Sequence, residues 1–109
     1  MAALTTNDPF LFCIGAGEEN FTGTATGSLK GFLKALATVD SEALDFHNGR
    51  GDLVSWAQFS LLDAKLHKQL KAISMSKAKG RALRDNLVEK VKKRFAEASG
   101  QVHADTKLV

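Results

Sequence analysis

Leu44 to Leu70 reads LDFHNGRGDLVSWAQFSLLDAKLHKQL, and it holds one helix stop, two helix starts and the single tryptophan of the chain. Ser41 to His47 has the composition of a short helix. Asp40 or Ser41 can cap it by accepting bonds from free backbone N–H groups, and Glu42 places negative charge in the first turn, where the helix dipole favours it. Asn48-Gly49 is the expected stop, because both residues tolerate the left-handed conformation that closes a helix. Asp52 is then expected to cap a second helix in which Leu53, Trp56 and Ala57 recur at helical spacing, so the indole shares a face with Leu53. Asp63 reads as a third cap. After it, Leu66, Leu70 and Ile73 form one stripe and Lys65, Lys68 and Lys71 another.

Working outward, Phe10 to Ile14 is an apolar run of strand formers and is expected to be a buried strand. Gly15 to Glu19 reads as a turn, and the threonine-rich Asn20 to Thr26 as a returning strand that completes a hairpin. A lone hairpin is marginal in water, so it must pack on helices or pair with another subunit. The first strand, as an edge, offers a way to build a homodimer. Gly15 and Gly17 follow a strand as a nucleotide loop would. However, Asn20 stands where a third glycine is needed, no helix opens there, and two acids follow, so a plain turn is the reading. Ser28 caps a helix reaching about Val39, with Leu29, Phe32, Leu33 and Leu36 on one stripe. Within it, Gly31 marks either a close backbone contact or a plain surface position. On the far side, Ser74 to Gly80 is a polar break. Arg81 to about Ala98 forms the longest helix, with Leu83, Leu87, Val88, Val91 and Phe95 on one face and Gly100 as its stop.

The order His, glycine turn, Gly-Asp-apolar, Trp, Asp-x-x-Leu-x-x-x-Leu resembles a small prokaryotic domain family of uncharacterised function. The positions that carry the resemblance are His47, Gly51, Asp52, Trp56, Asp63, Leu66 and Leu70, together with Phe10–Ile14 and the Ser28-Leu29, Leu33, Leu36 helix. It spans roughly residues 10 to 95. Leu53 stands where the family pattern places an aromatic residue, and Leu62 where it places a glycine. The resemblance brings no activity. It implies an accessory role, since domains of this look can be appended to carbohydrate-processing enzymes.

These elements add up to a mainly α (α+β) domain with four to five short helices packed on an N-terminal β-hairpin. We expect residues 1–8 to be a loose arm, 9–99 one globular domain and 100–109 a loose tail. The expected core is Phe12, Ile14, Leu29, Leu33, Leu36, Phe46, Leu53, Trp56, Leu66, Leu70, Leu87, Val91 and Phe95. A chain of 109 residues is enough for one core without staples. One cysteine excludes an internal disulfide; Cys13 reads as a buried small hydrophobe, which fits a reducing cytoplasm. No apolar run reaches the ~20 residues that span a bilayer, and no basic-then-apolar leader opens the sequence.

The net charge of +3 conceals an asymmetry. Residues 1–64 carry three bases against eight acids, or −5, and residues 65–109 carry twelve bases against four acids, or +8. Candidate partner- or phosphate-binding residues are therefore Lys65, Lys68, Lys71, Lys77, Lys79 and Arg81, continued by Arg84, Lys90, Lys92, Lys93 and Arg94. Such a face would bind nucleic acid with steep salt dependence. The absence of tyrosine and the burial expected for Trp56 leave few groups to stack on single strands. The loop candidates are His47, Arg50 and Asp52, which converge between two helices. This is the one place where acid–base chemistry is conceivable, although capping accounts for each residue type. His47, His67 and His103 have no metal-ligand spacing, and no cofactor or metal is expected. The expected function is a non-enzymatic accessory or binding module acting through protein–protein contacts, including a homodimer. Nucleic-acid or ribonucleoprotein binding is the alternative, and an enzyme at the His47–Asp52 loop comes last.

Overall fold

In the computed structural model, which describes residues 4–100, the chain opens with two antiparallel strands, β1 (Thr5–Cys13) and β2 (Phe21–Ser28). Phe10 lies opposite Thr26 and Leu11 opposite Ala25, with irregularities on either side of this pairing. Five helices follow: α1 (Leu29–Thr38), α2 (Ser41–Arg50), α3 (Asp52–Phe59), α4 (Ala64–Met75) and α5 (Gly80–Ser99). The architecture is the expected α+β hairpin with helices. None of the described helices is long and apolar enough to cross a membrane.

β1 begins at Thr5, so residues 5–8 belong to a strand and not to a loose arm. The cause is tertiary. The Trp56 indole N–H donates to the Asp8 carbonyl (2.7 Å), the Ser60 hydroxyl donates to the Asp8 carboxylate, and the Leu29 amide donates to the Leu4 carbonyl (2.8 Å). Residues 1–3 of the expected arm, and 101–109 of the expected tail with His103, lie outside the described residues.

Local rules locate most of the helix ends. The Ser28 hydroxyl accepts from the Gly31 amide (2.9 Å) and Asp63 Oδ1 from the Leu66 amide (3.0 Å), both side-chain N-caps. Gly100 closes α5 in the left-handed region. Three ends differ from expectation. Asp40 holds the N-cap position of α2, but its side chain makes no cap bond. α2 runs through Asn48-Gly49 and stops only at Gly51, whose φ of 77° supplies the left-handed turn. α3 then starts at once, with no side-chain cap, so Asp52 is the first residue of the helix and not its cap. Leu62 has φ 55°, a conformation that favours glycine. Gly31 lies where a Cβ would overlap the Thr26 hydroxyl, so its role is a close approach between α1 and β2.

The core gathers Phe12, Leu29, Leu36, Leu53, Trp56, Leu66, Leu70, Leu87 and Val91 as expected, together with Phe10, Phe32, Leu44, Leu61 and Leu83. Leu33, Phe46 and Phe95 are half-buried. Ile14 is 41% exposed, which corrects its place in the expected core. The inward face of β1 is set by Phe10 and Phe12, and the strand ends at Cys13, before Ile14. Phe10, Phe12, Phe32 and Trp56 form an aromatic cluster with ring centroids 4.7–6.0 Å apart, mostly tilted or edge-on.

Candidate functional site

The geometry around His47 follows from the Gly51 turn. α2 carries His47 inward and α3 begins with Asp52, so the turn folds the carboxylate back onto the imidazole. His47 Nδ1 donates to Asp52 Oδ2 (2.8 Å), and His47 Nε2 accepts the backbone N–H of Cys13 (2.8 Å). These partners assign the tautomer: an amide can only donate, so Nε2 carries the lone pair and Nδ1 the proton. The ring is buried and lies edge-on to Phe10, Phe12 and Phe46. Arg50 Nε stands 3.4 Å from the same Asp52 oxygen, and its guanidinium lies 4.8 Å from the Phe46 ring centroid.

The three loop candidates, His47, Arg50 and Asp52, are therefore brought together, but His47 is not free to take a proton from a substrate. A general base must offer a free lone pair to a substrate proton. The His47 lone pair is already held by the Cys13 amide, so the pair acts as a clamp. Through it, α2 and α3 grip the outer edge of β1, and the Trp56 bond to Asp8 grips the same strand further back. The capping role expected of Asp52 gives way to this cross-element bond.

Beside the clamp lies a cleft of about 670 Å³ between the hairpin turn and α2. Leu11, Phe21, Phe46 and Cys13 form its apolar walls, the Gly15–Glu18 turn forms one lip, and Arg50 and Asp52 form the other. The turn is held by the Ile14 amide on the Asn20 carbonyl (2.9 Å) and the Asn20 side-chain amide on the Ala16 carbonyl (2.6 Å). Leu11 is 51% exposed and Phe21 43%. Sequence reasoning did not single out these two residues. Their only signal was the strand alternation itself, which turns Leu11 outward between Phe10 and Phe12.

The basic candidates are not brought to one site. Lys65 is tied to Glu97 (2.8 Å), while Lys68 and Lys71 are exposed on α4. Lys77 sits in the loop with φ 61°, and Lys79 directly precedes α5, whose Gly80 amide is taken by Asp45 Oδ1 (2.9 Å). Arg81 is highly exposed, with Asp85 3.9 Å away. Two bases counted with this face turn inward. Arg84 donates to the Leu36 carbonyl (2.9 Å) and the Val39 carbonyl, which satisfies the C-terminus of α1. Arg94 Nε donates to buried Asp63 (2.8 Å) and its Nη1 reaches Glu97 (3.4 Å). The bond from Lys65 and the nearby Arg94 hold the Glu97 carboxyl below its ordinary range, and the Asp63 bond raises Arg94 above its own. His67 is remote from His47 in role, with Nδ1 3.4 Å from the Val54 carbonyl. Among the described residues, no group of three or more His, Cys, Asp or Glu could hold a metal ion.

No protein-family model, no curated protein and no solved structure matches this chain.

Proposed function

We propose that the chain is a non-enzymatic binding module that engages a protein partner through the cleft between the hairpin turn and α2. The observation that carries this reading is the cleft itself. Its walls are apolar with a few polar groups at the lip, and two of its large side chains stand open to water. The His47 clamp and the Trp56–Asp8 bond fix the strand that forms one wall, so the surface is pre-organised, and this reduces the entropy lost on binding. The accessory role implied by the family resemblance agrees with it, and the lone cysteine fits a cytoplasmic setting.

The test is to pan a displayed random-peptide library against the folded protein at sub-micromolar concentration, with Phe21→Asp as the counter-target. Enriched peptides should carry an apolar anchor and lose binding to Phe21→Asp, whose circular dichroism spectrum should show the folded content of the parent at the panning temperature. Failure to enrich, or enrichment indifferent to the substitution, overturns the reading. The alternative, nucleic-acid binding, is supported by exposed Lys68 and Lys71. It requires RNA or duplex binding that collapses between about 50 and 200 mM salt. With Arg84 and Arg94 turned inward and Lys65 paired with Glu97 at the surface, fewer unpaired cations remain for it.

A further inference from the structure

We propose that the segment bound in this cleft is cationic, a stretch of a protein partner in which an apolar side chain is flanked by Lys or Arg; the inference rests on the cleft being the recognition surface. The chain as a whole carries +3, yet the charge around the cleft has the opposite sign. The cleft and a shallow groove beside it share Phe10, Leu11 and Asp52, so they form one continuous surface. Asp8, Glu18 and Asp52 line that surface against Arg50 alone, and Glu19 lies beside Glu18 in the same turn. No lysine lines either hollow. The lysines border grooves around α4 and α5 instead.

Arg50 does not offset these acids. Its guanidinium lies over the Phe46 ring and its Nε is 3.4 Å from Asp52, so it and Asp52 neutralise each other. Asp8, Glu18 and Glu19 are left exposed, with no ion pair among the described residues; the Asp8 carboxylate accepts the Ser60 hydroxyl, which carries no charge. Uncompensated carboxylates beside apolar walls decide which cover fits. A neutral apolar segment would strip water from them and leave them unpaired, and an acidic one would add repulsion. A segment with Lys or Arg beside its apolar residue pairs them at the rim, while the apolar side chain enters between Leu11, Phe21 and Phe46. The acids also draw such a segment in before contact, because charge of one sign around a hollow concentrates the field. A second copy of the chain fits less well, since a two-fold would set the same acids against themselves.

The test selects displayed random peptides on the full chain, with Phe21→Ser as counter-target because it removes an apolar wall without adding charge. Peptides that discriminate between the two should be enriched in Lys and Arg over the unselected library, next to an apolar residue. Their affinity, read by fluorescence polarisation, should fall about fivefold or more between about 50 and about 500 mM salt. Glu18→Gln combined with Glu19→Gln should weaken them by about fivefold with the circular dichroism of the parent, because both side chains are exposed. Glu18→Lys combined with Glu19→Lys should prefer the same peptides with their Lys and Arg replaced by Glu, as a generic loss of folding would not. Discriminating peptides without the basic excess, or indifferent to the Glu18 and Glu19 substitutions, overturn the cationic partner and leave the cleft reading standing. A library that yields no discriminating peptide overturns the cleft reading and this inference with it. A chain that self-associates in sedimentation and is returned to monomer by Phe21→Ser makes the occupant a second copy and also overturns the proposal.

Discussion

Replacing His47 with leucine keeps an apolar body of similar size among Phe10, Phe12 and Phe46 but removes both of its hydrogen bonds. The Cys13 amide, part-buried, loses its acceptor, and an orphaned buried donor costs about 1–3 kcal/mol. Asp52 loses the Nδ1 donor but keeps Arg50 and partial solvent contact, so it adds little. Better apolar contact offsets a fraction of the loss. The net expectation is a destabilisation of about 2 kcal/mol, or roughly 8–16 °C in melting temperature for a domain near 100 residues. Urea unfolding followed by the fluorescence of buried Trp56 measures it, and hydrogen exchange at the Cys13 amide localises it. Asp52→Asn, which can still accept from Nδ1 through its amide oxygen, should cost less than half as much. The reasoning fails if His47→Leu lies within about 0.5 kcal/mol of the parent, or if Cys13 exchanges equally fast in both proteins. It also fails if nitrogen NMR places the imidazole proton on Nε2.

Other perturbations test other parts of the structure. Asp63→Asn keeps an oxygen for the Leu66 amide but removes the charge facing Arg94. Breaking one partner of a buried pair costs about 3–5 kcal/mol, and the low end is expected because Arg94 retains Glu97; a loss below about 1 kcal/mol in chemical denaturation would show the pair to be idle. Leu62→Gly should be stabilising by up to about 1 kcal/mol, because the side chain is 67% exposed and the backbone is left-handed; a clear loss of stability would mean that the leucine is held by contacts. Glu97 is depressed by Lys65 and Arg94, so its contribution is fully present above the ordinary carboxyl range and fades as pH falls through the lowered value. The Glu97→Gln protein should therefore lose less stability than the parent between neutral pH and strong acid. Parallel curves would contradict the network.

The legible parts of this protein are those decided within one turn of chain. Ser28 and Asp63 cap their helices because an oxygen three residues before a free amide has few other places to go. The stripes Leu29–Leu36, Leu66–Leu70 and Leu83–Leu87–Val91 are buried because helical spacing puts them on one face. What stayed hidden needed a partner distant in sequence. Either glycine after His47 could have ended α2, and only the direction in which α3 must run selects Gly51. Asp52 looked like a cap because its position permits one, yet the buried imidazole five residues earlier competes for the same carboxylate and wins. Arg84 and Arg94 sit in a charge pattern that reads as surface. They are drawn inward by the bare carbonyls of α1 and by a buried aspartate, 45 and 31 residues away. Local sequence determined where the helices begin and which faces they bury, because those depend on backbone periodicity and near-neighbour bonds. Only the tertiary structure decided that His47 is a clamp, that Leu11 and Phe21 wall a cleft and that Phe59 stands beside it. Each of these depends on what the packed elements bring together across the chain.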